Sequence, residues 1–312
     1  EKFKNIFFGK LTSVQGGSKI IETLTDISPR KEQPDCFIFS IINWDFRFQR
    51  PQQIAKSLAE NGRRVFYIEM ENEDGHKVRE VAPNLYVVRL NKLNSHINAY
   101  TGMADKESLT SWLNNFYNFI DSVSSTSIKD IIIQHPWWWQ FLKHLPHEFN
   151  SNFDCMDDIS GFSNTLDEIL ELEQDMISTC DNLIVSSDYL QNKFSNIKES
   201  EIVRNAADTS HLVKMKNNKL DKLFDNLSDK TDKIRVGYVG AIAEWFDTDL
   251  IKNTAEAYDD IEFHLCGDIS AEKPQILSST KNVKTYGEIP YDSIAPFINN
   301  MDVVIIPFQL LP

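Results

Sequence analysis

The sequence predicts an α/β protein of two doubly wound domains, each a mostly parallel sheet with helices on its faces. Three observations predict it. Apolar residues come in continuous runs of strand length rather than in strict alternation, the pattern of strands covered on both faces. Each run is followed by a stretch with helical spacing, and strand–helix alternation repeated along a chain builds a parallel sheet. The rhythm breaks once, at the polar stretch 214–233, and 312 residues suffice for two domains. The expected division is an extension over 1–34, a first domain over 35–208, a linker over 209–232 and a second domain over 233–312.

Taken in order, 1–34 holds Gly16-Gly17-Ser18, Pro29 and Pro34 without long periodicity and reads as an extension. The run 36–42 is the first buried strand. A helix follows over 51–60: Pro51 suits its first turn, Ile54, Ala55 and Leu58 share a face, and Asn61-Gly62 stops it. Residues 65–68 form the next strand and close a βαβ unit with the usual right-handed connection. Further strands are expected at 85–90, 130–134, 182–186 and 201–204, with helices at 105–123, 138–145, 165–180 and 187–195. The second domain repeats the pattern with strands at 235–239, 261–266, 283–286 and 303–307 and helices at 247–258 and 291–300. Four strands are fewer than the six or so of many such sheets, and the chain stops just after the last one, so the second domain is expected to be incomplete.

Charge narrows the function classes. With 46 acidic against 32 basic residues, a net charge of −14, a general nucleic-acid or anionic-membrane binder is disfavoured. No apolar run approaches the ~18–20 residues that span a bilayer. The opening Glu1-Lys2-Phe3-Lys4 carries no secretory h-region. The cysteines at 36, 155, 180 and 266 form no C-x-x-C and read as reduced, apolar-packed thiols.

Candidate chemistry gathers where strands end. The loop 43–50 sets Asp45, Arg47 and Arg50 among Trp44, Phe46 and Phe48, between a strand end and a helix start, where anions are favoured. Arg47 or Arg50 could grip a phosphate or acidic sugar through a bidentate fork; equally, Arg50 could pair with Asp45 to pin the loop while the rings fill the core. His135 opens His135-Pro136-Trp137-Trp138-Trp139. Its imidazole could orient an acceptor hydroxyl and Trp137 could face a sugar, or both could be structural. Three consecutive Trp are hard to bury together, so at least one is expected to line a cleft or an interface. Asp157-Asp158, read as adjacent strand residues, would point to opposite sides and make a poor metal cage. Asp157 is the one expected to face a ligand, with Asp158 capping the next turn. Gly240 ends a strand and lets the backbone approach a diphosphate, or merely allows tight packing. Gly267 and Gly287 end two more. The sequence has no G-x-G-x-x-G, G-x-S-x-G, H-E-x-x-H or P-loop.

Several motifs, in order, resemble the group 1 or GT4-like branch of the GT-B glycosyltransferases of bacterial cell-surface polysaccharide synthesis. They are Asn43-Trp44-Asp45-Phe46-Arg47-Phe48-Gln49-Arg50-Pro51, Asp154-Cys155-Met156-Asp157-Asp158, Arg204-Asn205-Ala206-Ala207-Asp208, Gly237-Tyr238-Val239-Gly240-Ala241 and Tyr286-Gly287-Glu288-Ile289-Pro290. The resemblance implies two Rossmann-like domains facing a cleft and transfer of a sugar from a nucleotide-sugar to a glycan or lipid-linked acceptor. It implies retention of configuration, no metal and no cofactor besides the donor. Gly240, Ala241, Trp245, Gly267, Gly287 and Ile289 would take the donor. Asp45, Arg47, Arg50, Trp137 and Asn205 would take acceptor or phosphate, with Asp157 and His135 catalytic. The implied setting is cytoplasmic, peripheral at the inner membrane face, with further domains of the same polypeptide. Two departures keep a second reading open, a non-catalytic module within a larger polysaccharide enzyme. Glu244 and Trp245 stand where relatives carry a cation for the diphosphate, and the relatives' glutamate-bearing helix after the last strand is absent. A sugar-nucleotide epimerase is disfavoured, because no matching acid/base cluster is evident.

Overall fold

A computed structural model of the chain describes residues 19–20, 33–70, 77–90, 102–123, 129–146, 148–162, 165–209, 213, 224, 227 and 231–309. Most of the expected extension 1–34 and linker 209–232 lies outside the described residues. The chain divides into two compact units, Lys10–Ala206 and a second that contains Ala207–Pro312.

The first unit is a nine-stranded sheet, β1 (Lys19–Ile20), β2 (Asp35–Phe39), β3 (Val65–Ile68), β4 (Lys77–Ala82), β5 (Leu85–Arg89), β6 (Lys129–Ile133), β7 (Phe149–Cys155), β8 (Asn182–Val185) and β9 (Ser200–Ile202). The order is β1-β4-β5-β3-β2-β6-β7-β8-β9. Pairing is parallel from β5 through β9, while β4 runs antiparallel to both β5 and β1. From β2 the chain builds outward through β3 and then, on the other side, through β6. The β2/β6 junction is therefore the topological switch point, outside whose strand ends open α/β sheets bind ligands.

Strand residues sort by parity onto two cores. Cys36, Ile38, Val65, Tyr67, Leu85 and Val87 pack against Ala55 and Ala59 of α1 (Arg50–Glu60). Phe37, Phe39, Phe66 and Ile68 face Trp112, Phe116, Phe119 and Ile120 of α2 (Lys106–Ser122). Asp105 starts α2 by accepting from the Ser108 N–H at 2.7 Å. On this face the rings stack or meet edge to face, as in Phe37–Phe66 at 5.1 Å and Phe39–Phe116 at 5.4 Å between centroids. At the amino ends of the strands Arg64 grips Asp35 through two bonds of 2.8 and 2.6 Å and donates to the Val123 carbonyl at 3.1 Å.

Several expectations need correction. The first strand ends at Phe39, because Ser40 turns the chain by accepting the Ile42 N–H at 3.1 Å. The strand expected over 201–204 is Ser200–Ile202, and that over 303–307 is reduced to Val303–Val304. Three strands were not anticipated, the two-residue β1 in the expected extension and β4 and β7. β4 mixes the charged Lys77, Arg79 and Glu80 with Val78, Val81 and Ala82, and β7 carries Asn150, Ser151 and Asn152, whose side chains bond to Asp130, Asp181 and the Ile131 carbonyl. The three tryptophans are all buried: Trp137 and Trp138 lie in a 3-10 turn and Trp139 starts α3 (Trp139–Leu142). A 3-10 turn spaces neighbours about 120° apart, so the rings radiate into different parts of one core and none lines a cleft.

The second unit has a four-stranded parallel sheet in the order β12-β11-β10-β13, from β10 (Ile234–Val239), β11 (Ile261–Cys266), β12 (Val283–Gly287) and β13 (Val303–Val304). One face packs Val236, Tyr238, Phe263 and Leu265 against Ile251 and Ala255 of α6 (Thr248–Ala257). The other packs Cys266 against Phe297 of α7 (Tyr291–Ile298) and against Phe224 and Leu227, residues of the expected linker. On that face His264, fully buried, bridges the Tyr286 hydroxyl at 2.7 Å and Glu262 at 2.9 Å.

Helix α4 (Asp167–Thr179) buries Glu173 along with Ile169, Leu172, Met176 and Ile177, and its Oε1 has no hydrogen-bond partner. Desolvation raises this carboxyl from 4.5 to about 7, against the pull of Lys193 and with a push from Asp158. The folded state thus holds a proton that the unfolded state releases above its own lower pKa, so stability falls as pH climbs from about 4.5 to about 7. Glu173→Gln should remove this loss. Its melting temperature should exceed the natural protein's at pH 8, by on the order of 2 kcal/mol of stability, and match it at pH 4.

Candidate functional site

Each unit presents a carboxyl-end edge of parallel strands, and most of the candidate residues lie on these two edges. In the first unit the loop between β2 and α1 is held by Gln52, a fully buried helix residue that sequence reasoning did not single out. Its Nε2 lies 3.1 Å from the Arg47 carbonyl and 3.3 Å from that of Phe46, and its Oε1 accepts the Gln49 N–H at 3.0 Å. Glu69, just past β3, is a second missed anchor: it accepts the Trp44 N–H at 2.7 Å and the Arg89 guanidinium at 2.6 Å. Glu69 has no local signal, since its partners lie 20 or more residues away, whereas Gln52 has one, its place three residues after Gln49 at the helix start, where the two form a capping box.

Arg50 does not pair with Asp45, the partner considered from sequence. It lies over the end of β7, where its Nε contacts both Asp154 oxygens at 3.1 Å and a terminal nitrogen reaches Oδ1 at 2.6 Å. The side chains are 10 % and 2 % exposed, so this is a nearly dry ion pair. Gln134, just past β6, donates to Asp154 at 3.0 Å, and Arg50 donates to Asn205 Oδ1 at 3.2 Å. Arg50, Gln134, Asp154 and Asn205 thus tie four strand ends together. Asp45 instead pairs with Arg79 of β4 at 2.6 Å, and the Arg47 guanidinium lies 5.0 Å over the Phe46 ring.

His135 is buried, and its Nδ1 accepts the Trp137 N–H at 3.2 Å. Burial lowers its pKa to about 4, so the imidazole is neutral at pH 7 with Nε2 carrying the proton. Trp137, 3 % exposed, donates its indole N–H to the Gly102 carbonyl at 2.8 Å and is a core residue. Asp157 and Asp158 do not continue β7: both follow its end at Cys155, so the opposite-sides argument made for a strand does not apply. Asp157 is exposed, yet desolvation by its surroundings raises its carboxyl, with Arg50 lowering it and Asp154 raising it. Asp158 caps the 3-10 turn Ile159–Gly161. Desolvation opposes its ionisation, but hydrogen bonds from Lys193, Ser160 and Tyr189 outweigh that and hold it at about 2.

In the second unit the edge is a matter of backbone. Gly240, Gly267 and Gly287 end three adjacent strands, and the Gly240 and Gly267 N–H groups donate to the Cys266 and Gly287 carbonyls at 2.9 and 2.7 Å. Gly267 has φ of +154°, and a Cβ there would fall 1.7 Å from the Gly240 oxygen. Beyond the strands the zipper continues through Ile242 N–H to the Asp268 carbonyl and Ser270 N–H to the Ile242 carbonyl. The Ala241 carbonyl accepts the Tyr238 hydroxyl at 2.9 Å. Trp245 is 43 % exposed, and its carbonyl accepts the Gln309 N–H at 2.8 Å. Ile289 packs beside Phe224 and Phe297. Asp247 caps α6 through the Leu250 N–H at 2.9 Å. The loops 240–247, 267–272 and 287–290 carry Glu244, Asp247, Asp268, Glu272 and Glu288 and no Lys or Arg. The next basic residue, Lys273, pairs with Asp249 at 2.6 Å. Among the described residues no group of three or more His, Cys, Asp or Glu is placed to hold a metal ion. Nor is any described helix long and apolar enough to cross a membrane.

The sequence matches no protein-family model and no curated protein. Solved structures do match in fold. Sucrose-phosphate synthase from Thermosynechococcus elongatus aligns with a TM-score of 0.63 and 13 % identity, over 89 % of this chain and 77 % of that one. A trehalose-6-phosphate protein from E. coli bound with UDP-2-fluoro glucose aligns at 0.58 and 10 %, over 86 % and 77 %. HepE of Anabaena in complex with UDP and glucose aligns at 0.53 and 13 %, over 87 % and 73 %. These neighbours are GT-B glycosyltransferases, and the chain shares their fold of Rossmann-like α/β units.

Two stability experiments follow. Arg50→Met should cost about 3–5 kcal/mol in denaturant unfolding by stranding the Asp154 charge, and adding Asp154→Asn should recover most of it. In the second unit Gly287→Ala, at φ +69° with open space around it, should cost about 1 kcal/mol, whereas Gly267→Ala should cost more than ~3 kcal/mol.

Proposed function

We propose that the protein is a nucleotide-sugar-dependent glycosyltransferase, with acceptor bound at the strand ends of the first unit and donor at those of the second. The observation that carries this reading is the second edge: three glycine-ended strands whose end loops are joined by main-chain hydrogen bonds, in a fold whose solved neighbours include proteins bound with UDP or a UDP-sugar. Gly240, Ala241, Gly267 and Gly287 would line the diphosphate and sugar, with Trp245 and Ile289 flanking them. In the first unit Asp157, an exposed carboxylate, would take the acceptor hydroxyl's proton as that oxygen bonds to the anomeric carbon and the bond to the diphosphate breaks. His135, neutral and buried just past β6, would be an orienting group. Arg50 and Asn205 shape this edge, and Asp45 and Arg47 flank it. Retention, independence of metal, a role in cell-surface polysaccharide synthesis, a lipid-linked or glycan acceptor and a cytoplasmic, peripheral setting belong to the same proposal.

One observation favours the second reading, a non-catalytic module of a larger enzyme. The donor-side loops bring carboxylates and no cation to meet a diphosphate, which ordinarily needs positive charge as well as amides. Hydrogen exchange with UDP-glucose, UDP-N-acetylglucosamine and GDP-mannose separates the two. The transferase reading expects slowed exchange in peptides covering 240–245, 267–270 and 287–291, with release of the nucleoside diphosphate once a glycan is supplied. Unchanged exchange at all three segments would leave the module.

A further inference from the structure

Tyr189 exposes 63 % of its surface, in the first turn of α5 (Asp188–Phe194), which follows the carboxyl end of β8. An exposed tyrosine is ordinary; one whose hydroxyl is anchored to a network of charges is not. Its O–H donates to Asp158 Oδ2 at 2.9 Å. Asp158 in turn accepts from the Ser160 N–H at 3.1 Å, the Ser160 hydroxyl at 2.5 Å and the Lys193 ammonium, and that ammonium also reaches Ser160 Oγ at 3.0 Å. Held at its tip as well as at its Cα, the ring has lost most of its rotamer freedom before anything binds, so a ligand laid on its face need not order it. Phe162, 47 % exposed, follows the same capped turn, and Asp157 adjoins Asp158 in the chain.

We propose that Tyr189 is a stacking platform for a neutral pyranose ring of the acceptor, with Asp157 receiving a hydroxyl at its rim. The inference rests on the glycosyltransferase reading above and adds the chemical class of the acceptor. A pyranose offers one face of polarised C–H bonds, which complements the negative face of an aromatic ring, and hydroxyls around its edge for carboxylates. The neighbouring charges cancel: Lys193 answers Asp158, and Arg204 answers Asp188 at 2.7 Å. Asp157 then leaves the surroundings negative, which favours an uncharged sugar over a phosphorylated one.

The test uses the full chain with maltotriose, cellotriose and chitotriose as probes, followed by calorimetry and by saturation transfer to the sugar C–H protons. At least one probe should bind. Tyr189→Ala should weaken it about tenfold or more with an unchanged melting temperature, while Tyr189→Phe, which keeps the ring, should stay within about threefold. Equal losses in the two variants would assign the effect to the hydroxyl and overturn the platform, as would undiminished binding by Tyr189→Ala. If no probe binds while UDP-glucose still protects the second unit, this inference fails and the transferase reading stands. If neither binds, both fall.

Discussion

The buried ion pair of Arg50 and Asp154 is the constraint on which the first unit's edge depends. The partners are 104 residues apart, one opening the helix after β2 and the other near the end of β7, on either side of the switch point. Removing a guanidinium and a carboxylate from water is unfavourable by several kcal/mol each, offset only when geometry is good and remaining lone pairs are filled. Here Gln134 fills one and Asn205 takes a further guanidinium proton, so four loops are fixed by one electrostatic knot. An arginine that the sequence offers as an anion grip is instead committed to the protein. Asp157 stands exposed beside the knot, and desolvation by its surroundings raises its carboxyl, with Arg50 opposing and Asp154 adding to the rise.

The second edge is built on a different principle. Its strand-end loops are held by main-chain hydrogen bonds, with Gly240 and Gly267 in direct backbone contact, and its side chains contribute negative charge. Backbone dipoles can meet an anion, but carboxylates nearby raise the cost of bringing one in. The tension between a shape suited to a diphosphate and a charge that opposes it is the main physical fact about this unit. The His264 bridge, neutral because burial outweighs the Glu262 charge, lies on the sheet face packed by Phe224 and Phe297 and braces Tyr286, the residue before Gly287.

Much of this was legible in the sequence where local chemistry decides. The runs 65–68 and 261–266 are strands because nothing but a covered sheet suits them, and Asp158 caps a turn as its position suggested. The strand Phe149–Cys155 was illegible because its polar residues are satisfied by partners 20 to 30 positions away, including Asp130 and Asp181. The same limit hid Glu69, and sent Asp45 to Arg79 rather than to Arg50, five residues on. The tryptophan run misled for another reason. Three rings on one face would be hard to bury together, whereas a tight turn distributes them around its axis.

The two edges also differ in how they can change over time. Arg50 and Asp154 are a pair of side chains, so loss of one can be answered by a change in the other, and in a lineage of related chains the two positions should vary together. Gly240 and Gly267 touch through main chain, which no substitution elsewhere can replace. Their edge can drift only by re-routing the loops, so it would persist as a fixed form while the first edge explores new ligands.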